Sequence, residues 1–232
     1  MKLHRFSFAL TGLLILMLSG LSTTALAVEQ GDWLLHVRAI NVDPDDSSSA
    51  LNVGGATLAG TGVSVDSGAT LDVSLGYMLT DNWAVELLAD LSSSHDVNVF
   101  GLPAALNVAD GTKVIDARVL PPTLFLQYQF NPTASIRPYA GLGLNYTLFF
   151  DDDLTTAAQT ALGASNLDMD DSFGLAAQFG VDFAMSNNWS FNVDLKYIKI
   201  DTQATFDTAL GPVSVDVDID PLILGIGVGK TF

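Results

Sequence analysis

The sequence predicts an all-β fold, an eight-stranded antiparallel transmembrane β-barrel of the outer-membrane type, and three observations lead to this prediction. Of the 232 residues, 49% are hydrophobic and only 15% are charged, whereas soluble domains carry about 25% charged residues. Hydrophobic residues alternate at period 2 along the chain after its first segment, which is the periodicity of strands. No internal stretch reaches the ~18 consecutive apolar residues that a membrane-spanning helix needs.

The amino-terminal segment, residues 1–27, has the layout of a cleavable secretory signal peptide. A short basic start precedes an apolar run over 6–18, and Ala25 and Ala27 supply the small residues that a signal peptidase recognises. A membrane anchor is the alternative, but the apolar run is short and the small residues follow at the expected distance. We therefore expect a mature chain of residues 28–232.

Charge and cysteine content exclude several classes of protein. Nine Lys and Arg against 26 Asp and Glu give a formal net charge of −17, which repels nucleic-acid phosphates, so we expect no nucleic-acid partner. The chain contains no cysteine, which excludes disulfides, thiolate zinc sites, cysteine nucleophiles and a lipid attached to an amino-terminal cysteine.

Eight alternating segments are predicted as strands. They span about 31–42, 68–79, 82–95, 113–130, 135–150, 171–186, 188–206 and 213–232. Three connections are tight turns rich in Asn, Asp and Pro, and four are longer or polar external loops, at about 43–67, 96–112, 151–170 and 207–212. This is the count of an up-and-down barrel with both termini on the short-turn side, as in outer-membrane barrels. Because lipid tolerates no open sheet edge, the first strand must pair with the last.

A soluble barrel of the lipocalin type is the alternative, and it would be apolar inside rather than outside. The less apolar face of the strands is rich in Gly and Ala, which suits the narrow lumen of a membrane barrel. The chain ends on Phe232, and a terminal aromatic residue resembles the signal read by the outer-membrane insertion machinery. Aromatic residues also cluster at strand ends, as interfacial girdles do: Trp33, Tyr77, Trp83, Tyr128, Phe130, Tyr146, Phe149, Phe150, Trp189 and Tyr197.

Two segments change the parity of their apolar residues at prolines. Apolar residues occupy odd positions before Pro121 and Pro122 and even positions after them, and the same change occurs across Pro221. Proline donates no ladder hydrogen bond and is tolerated at bulges, so we predict a bulge or kink at each site. Such a site is a candidate lateral opening towards the lipid, and a strand that bends above the bilayer is the simpler alternative.

Several motifs resemble the outer membrane protein W family, which has the alkane-uptake protein AlkL as a relative. They are DNWAVELLA over 81–89, LPPTL over 120–124, RPYAGLGLNYTLFF over 137–150 and GLAAQFGVD over 174–182. The resemblance runs from the second strand to the end of the chain, and the first loop is its least comparable part. It implies a barrel in the outer membrane of a Gram-negative bacterium, with a narrow and largely hydrophobic interior. It also implies passage of small hydrophobic molecules, with lateral exit through the wall as one route, while some members are receptors for bacteriocins or phage.

Charged residues that are predicted to face the lumen form a candidate polar plug. They are His36, Arg38, Asp72, Glu86, Asp90, Asp182, Asp194 and Lys196. Charges inside a barrel must pair or be hydrated. A selectivity ring for ions is the alternative, but both signs occur and eight strands leave little room for water, which favours a packed network.

Higher in the barrel the predicted inner face becomes apolar. The candidate apolar pocket contains Met78, Leu88, Phe125, Phe149, Ile198 and Ile200, and the first loop offers Leu51, Val53 and Leu58 as a lid. Apolar concave sites are the usual form of small-molecule sites. Simple core packing is the alternative, and the family resemblance favours the pocket.

Neither an enzyme nor a metal site is expected. Only His36 and His95 remain in the mature chain, one near the periplasmic end of the barrel and one near the outer end, and no G-x-S-x-G motif accompanies them. Acidic loop residues such as Asp43, Asp45 and Asp46 lack the spacing of an EF-hand, so a solvated surface is favoured over a Ca²⁺ or Mg²⁺ site. We expect no catalytic residue, no metal and no cofactor.

The sequence as a whole favours a single barrel that binds and passes small hydrophobic molecules through a narrow apolar lumen, with lateral release near a proline-bent strand. A structural or receptor protein, whose loops contact lipopolysaccharide, phage or bacteriocins, is the alternative, and a barrel enzyme acting on lipids is a third hypothesis. The expected partners are outer-membrane lipids and lipopolysaccharide, small hydrophobic molecules and the insertion machinery.

Overall fold

A computed structural model describes residues 27–90 and 93–232, and its main feature is a closed barrel of eight antiparallel strands. All of the predicted signal peptide except Ala27 lies outside the described residues. The described helical segments are one α-helix, α1 (Thr156–Leu162), and two 3-10 turns, Ala104–Leu106 and Ser186–Asn188. In chain order the described strands are β1 (Trp33–Asp43), β2 (Ser47–Ser48), β3 (Asn52–Val53), β4 (Ala56–Thr57), β5 (Gly62–Val65), β6 (Gly68–Met78), β7 (Trp83–Asp90), β8 (Ser93–Phe100), β9 (Thr112–Leu120), β10 (Thr123–Gln129), β11 (Ile136–Leu154), β12 (Ser165–Met169), β13 (Ser172–Ala184), β14 (Trp189–Ile198), β15 (Asp201–Thr208), β16 (Gly211–Asp218) and β17 (Leu222–Thr231).

Eight of these strands form the ring. Their order is β10-β7-β6-β1-β17-β14-β13-β11, and β11 returns to pair with β10. The first and last strands pair continuously from Leu34↔Thr231 to Asp43↔Leu222, as closure in lipid requires. The predicted eight-stranded antiparallel barrel is confirmed.

The wall of the ring is apolar outside and polar inside. On β10, the outward Leu124 and Leu126 are each 49% exposed, whereas the inward Thr123 and Gln127 are buried. This polarity is the reverse of a soluble barrel and is that of a membrane barrel. None of the helices in the described part of the chain is long and apolar enough to cross a membrane. The outward belt includes Leu71, Leu75, Leu87, Leu124, Leu126, Leu142, Leu144, Phe173, Leu175, Phe179, Leu195, Leu222, Leu224 and Ile226.

Aromatic pairs mark the short-turn end of the belt. The rings of Trp33 and Tyr77 lie 4.9 Å apart, and those of Trp83 and Tyr128 lie 5.0 Å apart. All four side chains lie on the outer surface, where amphipathic rings hold a barrel at the level of the lipid headgroups. Phe149 differs from the predicted girdle, because its half-buried ring packs against an inner apolar cluster.

Strands continue beyond the belt at the end opposite the chain termini, which we call the external end. There β9 pairs with the upper part of β11 and with β8, and β8 pairs with β5. A second sheet joins β12, β15, β16, β3 and β4. The segments predicted as loops over 43–67, 96–112 and 151–170 therefore contain strands and α1, while 207–212 is the tip of a hairpin. The two sheets share an external core, which is built mainly from Leu51, Val63, Val97, Val99, Val114, Ile115, Ala117, Phe206, Val213, Val215 and Val217.

The strand interruption at Pro221 leaves the register unchanged. Tyr197 pairs with Leu222 on one side of the proline, and Asp201 pairs with Asp218 on the other. Each of the two paired segments therefore advances by four residues between these pairs. Of the bulge or kink predicted at Pro221, the register excludes the bulge, because no residue is inserted, and the strand is interrupted over 219–221.

The interruption at Pro121 and Pro122 also keeps the register against β11. Leu148 pairs with Leu120 before the two prolines, and Asn145 pairs with Thr123 after them. The spacing is three residues on both strands. On the side of the prolines that faces away from β11, the register differs by one residue between the pairs that join β10 to β7 and the pairs that join β9 to β8. Part of the segment between β7 and β8 lies outside the described residues, and along β11 the prolines insert no extra residue.

The change of parity has another cause, which is a change of environment. Ile115 and Ala117 on β9 and Phe125 and Gln127 on β10 all occupy odd positions, and all are buried on the inside. At the level of the lipid the outward positions are apolar, whereas above it the inward positions are apolar because they line the external core. Apolar residues switch faces while the backbone keeps its alternation.

The position of the belt predicts that two highly exposed leucines respond differently to charge. Leu142 is 74% exposed in the middle of the belt and Leu210 is 64% exposed at the external hairpin tip. We expect Leu142→Arg to lower the free energy of unfolding by about 2–4 kcal/mol, since lipid cannot solvate the guanidinium. Leu210→Arg serves as the control and should stay within about 0.5 kcal/mol. Reversible denaturant unfolding from lipid vesicles measures both, and equal effects would contradict the assigned belt.

Candidate functional site

Arg38 is the centre of a charged network that fills the lumen. It projects inwards from β1 and is 1% exposed. Its Nε donates to Asp72 Oδ1 at 2.8 Å and lies 3.3 Å from Asp194 Oδ2. Its Nη2 donates to Ser74 Oγ at 2.9 Å and lies 3.5 Å from Glu86 Oε1. One guanidinium therefore joins three carboxylates that come from three different strands.

Two further contacts extend this network across the barrel. Lys196 Nζ donates to Asp72 at 3.0 Å and also to Asp194. His36 Nε2 lies 3.2 Å from Asp182 Oδ1, which also accepts a hydrogen bond from Asn192. Seven of the eight predicted plug residues are thus brought together by pairing, and we call them the plug: His36, Arg38, Asp72, Glu86, Asp182, Asp194 and Lys196.

Glycines on β17 make the plug possible. A Cβ at Gly227 would lie 2.1 Å from the carbonyl oxygen of Val37 and within 2.7 Å of the Arg38 side chain. A Cβ at Gly225 would meet the Asp194 carboxylate at 2.2 Å. The long charged side chains of the plug lie over these glycines, which belong to the small inward residues that predicted a narrow lumen.

Neutral polar residues that the sequence analysis missed complete the lumen. Gln127 Nε2 donates to Glu86 Oε2 at 2.8 Å, and Gln129 Nε2 donates to Gln127 Oε1 at 2.9 Å. Asn192 Nδ2 also donates to the Tyr139 hydroxyl at 3.1 Å. These polar residues alternate along their strands with outward aromatic and apolar residues, and this alternation could have identified them as lumen residues. The prediction considered charges alone.

An apolar cavity lies between the plug and the external core. It encloses about 70 Å³, several times the ~10–15 Å³ that one water molecule needs. Of the predicted pocket and lid, Leu51, Phe149, Ile198 and Ile200 line it. Leu88 and Phe125 pack with Ile198 in the adjoining buried cluster, and each is 1% exposed. The lining also includes Val42, Val65, Val97, Ile115, Ala117, Phe206, Val215 and Ile223.

Three of the predicted pocket residues lie elsewhere. Met78 was assigned wrongly, because it ends β6 next to a short turn and packs with Leu34 and Ala84 at the periplasmic end. Alternation correctly predicts that the Met78 side chain faces inwards, but it does not show at which end of the barrel the residue lies. Val53 is half-buried against the external core, and half-buried Leu58 does not line the cavity.

The cavity wall contains few polar groups, and most of them already have partners. Thr147 Oγ1 donates to Asn145 Oδ1 at 2.7 Å, and Thr202 Oγ1 donates to the Asp170 carbonyl at 2.7 Å. His95 Nδ1 lies 3.1 Å from the Asp66 carbonyl oxygen. The eighth predicted plug residue, Asp90, is the remaining carboxylate, and it lines the cavity rather than joining the plug.

The two proline sites form part of the cavity wall. Pro121 and Pro221 both line the cavity. On the β11 side, the Pro122 carbonyl accepts a hydrogen bond from the Tyr146 amide at 3.0 Å. On the β7 side, the ladder to β10 ends at the pair Leu88↔Thr123. The wall beside the cavity is therefore paired on the β11 flank of the prolines, while residues 91 and 92 of the facing segment on the β7 flank lie outside the described residues.

Ion pairs on the external rim lie outside the cavity. Lys199 Nζ donates to Asp201 at 2.8 Å, which raises the pKa of the ammonium and lowers that of the carboxyl group. Hydrogen bonding with Asp201 raises the pKa of the facing Asp218. Lys113 lies 2.6 Å from Asp96, and this hydrogen bond raises its pKa. These exposed ion pairs stabilise the rim, and none of their side chains lines the cavity.

Comparison with known proteins places this architecture in a family. The model of the OmpW family matches residues 29–232. The chain belongs to the OmpW family. Outer membrane protein W of Vibrio cholerae is 36% identical over 91% of this chain and 93% of its own length. Outer membrane protein AlkL of Ectopseudomonas oleovorans is 29% identical over 88% of this chain and 83% of its own length.

Solved structures agree with this assignment. The crystal structure of OprG from Pseudomonas aeruginosa superposes with a TM-score of 0.82 at 39% identity, over 89% of this chain and 98% of that one. AlkL in lipid bilayers gives a TM-score of 0.62 at 26% identity, over 92% and 96% of the two chains. This OmpW-family protein is therefore an outer-membrane β-barrel, and the predicted family and location are confirmed. These relatives carry the names of membrane barrels rather than enzymes, which supports a non-enzymatic role at the level of the family.

The plug predicts a large difference between two cations. Arg38→Met leaves three buried carboxylates short of their shared partner, so we expect the free energy of unfolding to fall by about 3–5 kcal/mol. Lys199→Met removes a cation from the exposed pair with Asp201, where we expect no measurable change. Denaturant titration in lipid vesicles measures both variants. Equal stability of Arg38→Met and the unaltered protein would contradict a structural plug.

Proposed function

We propose that this protein binds small hydrophobic molecules in the cavity beneath its external core and passes them across the outer membrane with lateral release. The observation that carries the proposal is the juxtaposition of an apolar cavity with a plug of buried, paired charges. Apolar concavities of this kind are the usual form of sites for apolar ligands. The resemblance of the motifs to the OmpW and AlkL group supports the same substrate class.

The packing of the plug argues against an axial route. Arg38, Asp72, Asp194 and Lys196 are each at most 1% exposed and occupy the lumen together. A hydrophobic molecule that moved along the axis would have to separate ion pairs in a site of low polarity, which is costly. The cavity wall beside Pro121 offers a shorter path, because Pro121 and Pro122 donate no ladder hydrogen bond to the neighbouring strands. An exit at this height leads into the lipid, in which an apolar molecule is soluble.

A receptor or structural role is the second candidate, and the external sheets are the observation that favours it. They share a continuous core and present a folded surface above the membrane. Such a surface could contact lipopolysaccharide, phage or bacteriocins without any flux through the barrel. Removing the hairpin tip over 209–210 would reduce binding of that kind, whereas uptake depends on the cavity.

Flux through refolded protein in proteoliposomes tests the proposal. We expect uptake of a hydrophobic tracer without uptake of a small sugar of similar size. Ala117 is 3% exposed and lines the cavity, so Ala117→Phe should fill it and lower tracer uptake several-fold. Ala209→Phe is the matched control at the exposed hairpin tip and should leave uptake unchanged. Equal passage of sugar would indicate an aqueous pore, and passage of neither solute would favour the receptor role.

Lateral release predicts that β7 and β10 must separate. Leu87 and Leu124 are paired, lipid-facing residues on these strands, and antiparallel partners lie close enough for a disulfide. Because the chain has no cysteine, Leu87→Cys with Leu124→Cys gives one defined clamp. We expect oxidation to lower tracer uptake and a reductant to restore it. The same clamp at Val193 and Ile226, between β14 and β17, is the control, and equal loss in both would contradict this exit.

A further inference from the structure

We propose that Asp90 binds the polar end of the molecule in the cavity, so that the preferred ligand is a short apolar chain ending in a hydrogen-bond donor, above all a primary ammonium group. This inference rests on the proposed function and names the substrate class of the same cavity. The observation behind it is a buried carboxylate that lines a mostly apolar wall and accepts no hydrogen bond from the described residues.

Asp90 lies at the boundary between the plug and the cavity. It is the last residue of β7, it is 5% exposed, and its backbone lies opposite Asp72 of the plug. The next inward residue below it on β7 is the apolar Leu88, and Glu86 follows within the plug. Unlike these two neighbours, Asp90 is one of the residues that line the cavity.

The carboxylate of Asp90 makes no hydrogen bond within the described residues. Asp72, by contrast, accepts hydrogen bonds from both Arg38 and Lys196. The hydroxyls of Thr147 and Thr202, also in the cavity wall, already donate to other acceptors. A buried carboxylate that lacks donors carries a desolvation cost, which a ligand with a donor would relieve.

The charge balance of the lumen indicates a cationic donor. Among the described residues, the buried carboxylates outnumber the buried Lys and Arg side chains by five to three. Arg38 and Lys196 are already bound to Asp72, Glu86 and Asp194. The carboxylates are Asp72, Glu86, Asp90, Asp182 and Asp194, and the cations are Arg38, Arg137 and Lys196. A ligand ammonium at Asp90 would supply one of the two positive charges by which the cations fall short.

The surroundings of Asp90 determine the rest of the ligand. Val42, Ile198 and Ile223 line the same cavity, so a second polar group on the ligand would be buried without a partner. A ligand carboxylate would meet the acidic excess and be repelled, which excludes the simplest anionic amphiphiles. An apolar chain with one donor end fits both requirements.

Isoleucine methyl NMR of the full-length mature protein in lipid nanodiscs tests this assignment. Ile198 and Ile200 line the cavity and report occupancy, while Ile136 and Ile226 face the lipid and report partition into the bilayer. The probes are hexylamine, 1-hexanol, hexane and hexanoate. We expect hexylamine to shift the cavity methyls at the lowest concentration, then 1-hexanol and hexane, with hexanoate weakest.

Variants at Asp90 separate recognition of the polar end from binding of the chain. We expect Asp90→Asn to weaken hexylamine binding about tenfold, since a charge-assisted hydrogen bond is lost, and to leave hexane unaffected. Asp90→Leu should abolish the preference for hexylamine and retain hexane. Asp168→Asn removes the same charge from an exposed external position and should change nothing, which controls for the overall acidity of the protein.

The outcomes distinguish this inference from the proposed function. Equal affinities of the unaltered protein for all four probes, or unchanged hexylamine binding in Asp90→Asn, would overturn the role of Asp90 while leaving an apolar cavity that binds ligands. The comparison of probes on the unaltered protein holds even if a variant fails to fold. Shifts at Ile136 and Ile226 alone, with none at the cavity methyls, would overturn the proposed binding function as well.

Discussion

Closing eight strands into a ring without a free edge is the constraint on which the rest of this structure depends. It satisfies every backbone group in lipid, but the lumen it leaves is so narrow that inward residues must be small or must interlock. Gly225 and Gly227 give Arg38 the space to reach across and meet Asp72 and Asp194. The packing of the plug across the lumen follows from that geometry, and the apolar cavity lies above the plug.

A single alternation of side chains serves two environments in this protein. On β10 the inward residues are polar except Phe125 and the outward ones contact lipid, while on β9 the inward residues are apolar and belong to the external core. The prolines lie where one environment gives way to the other, and the register continues past Pro221. The chain thus builds a membrane barrel and a water-exposed β-structure on one set of strands, and the cavity forms at their junction.

Much of this architecture is predictable from the sequence, because closure and alternation are local rules. The eight strands, the pairing of first and last, and seven plug residues follow from parity and charge. The sequence could not locate Met78, since parity gives the face of a strand and not the height along it. The sequence could not decide between a bulge and a kink at Pro221, because a change of apolar phase has the same appearance whether the backbone or the surroundings change. The isolation of Asp90 depends on which partners the other carboxylates take, which only the folded lumen determines.

The seam between β1 and β17 joins the two ends of the chain, and this has a consequence for biogenesis. Closing it forms a loop nearly as long as the whole protein, which is the slowest kind of contact to establish. Until Phe232 has been exported, two unpaired strand edges and an apolar belt face water, and exposed edges promote aggregation. Insertion therefore depends on the last strand, because a chain that lacks only this strand remains an open sheet that lipid cannot accept.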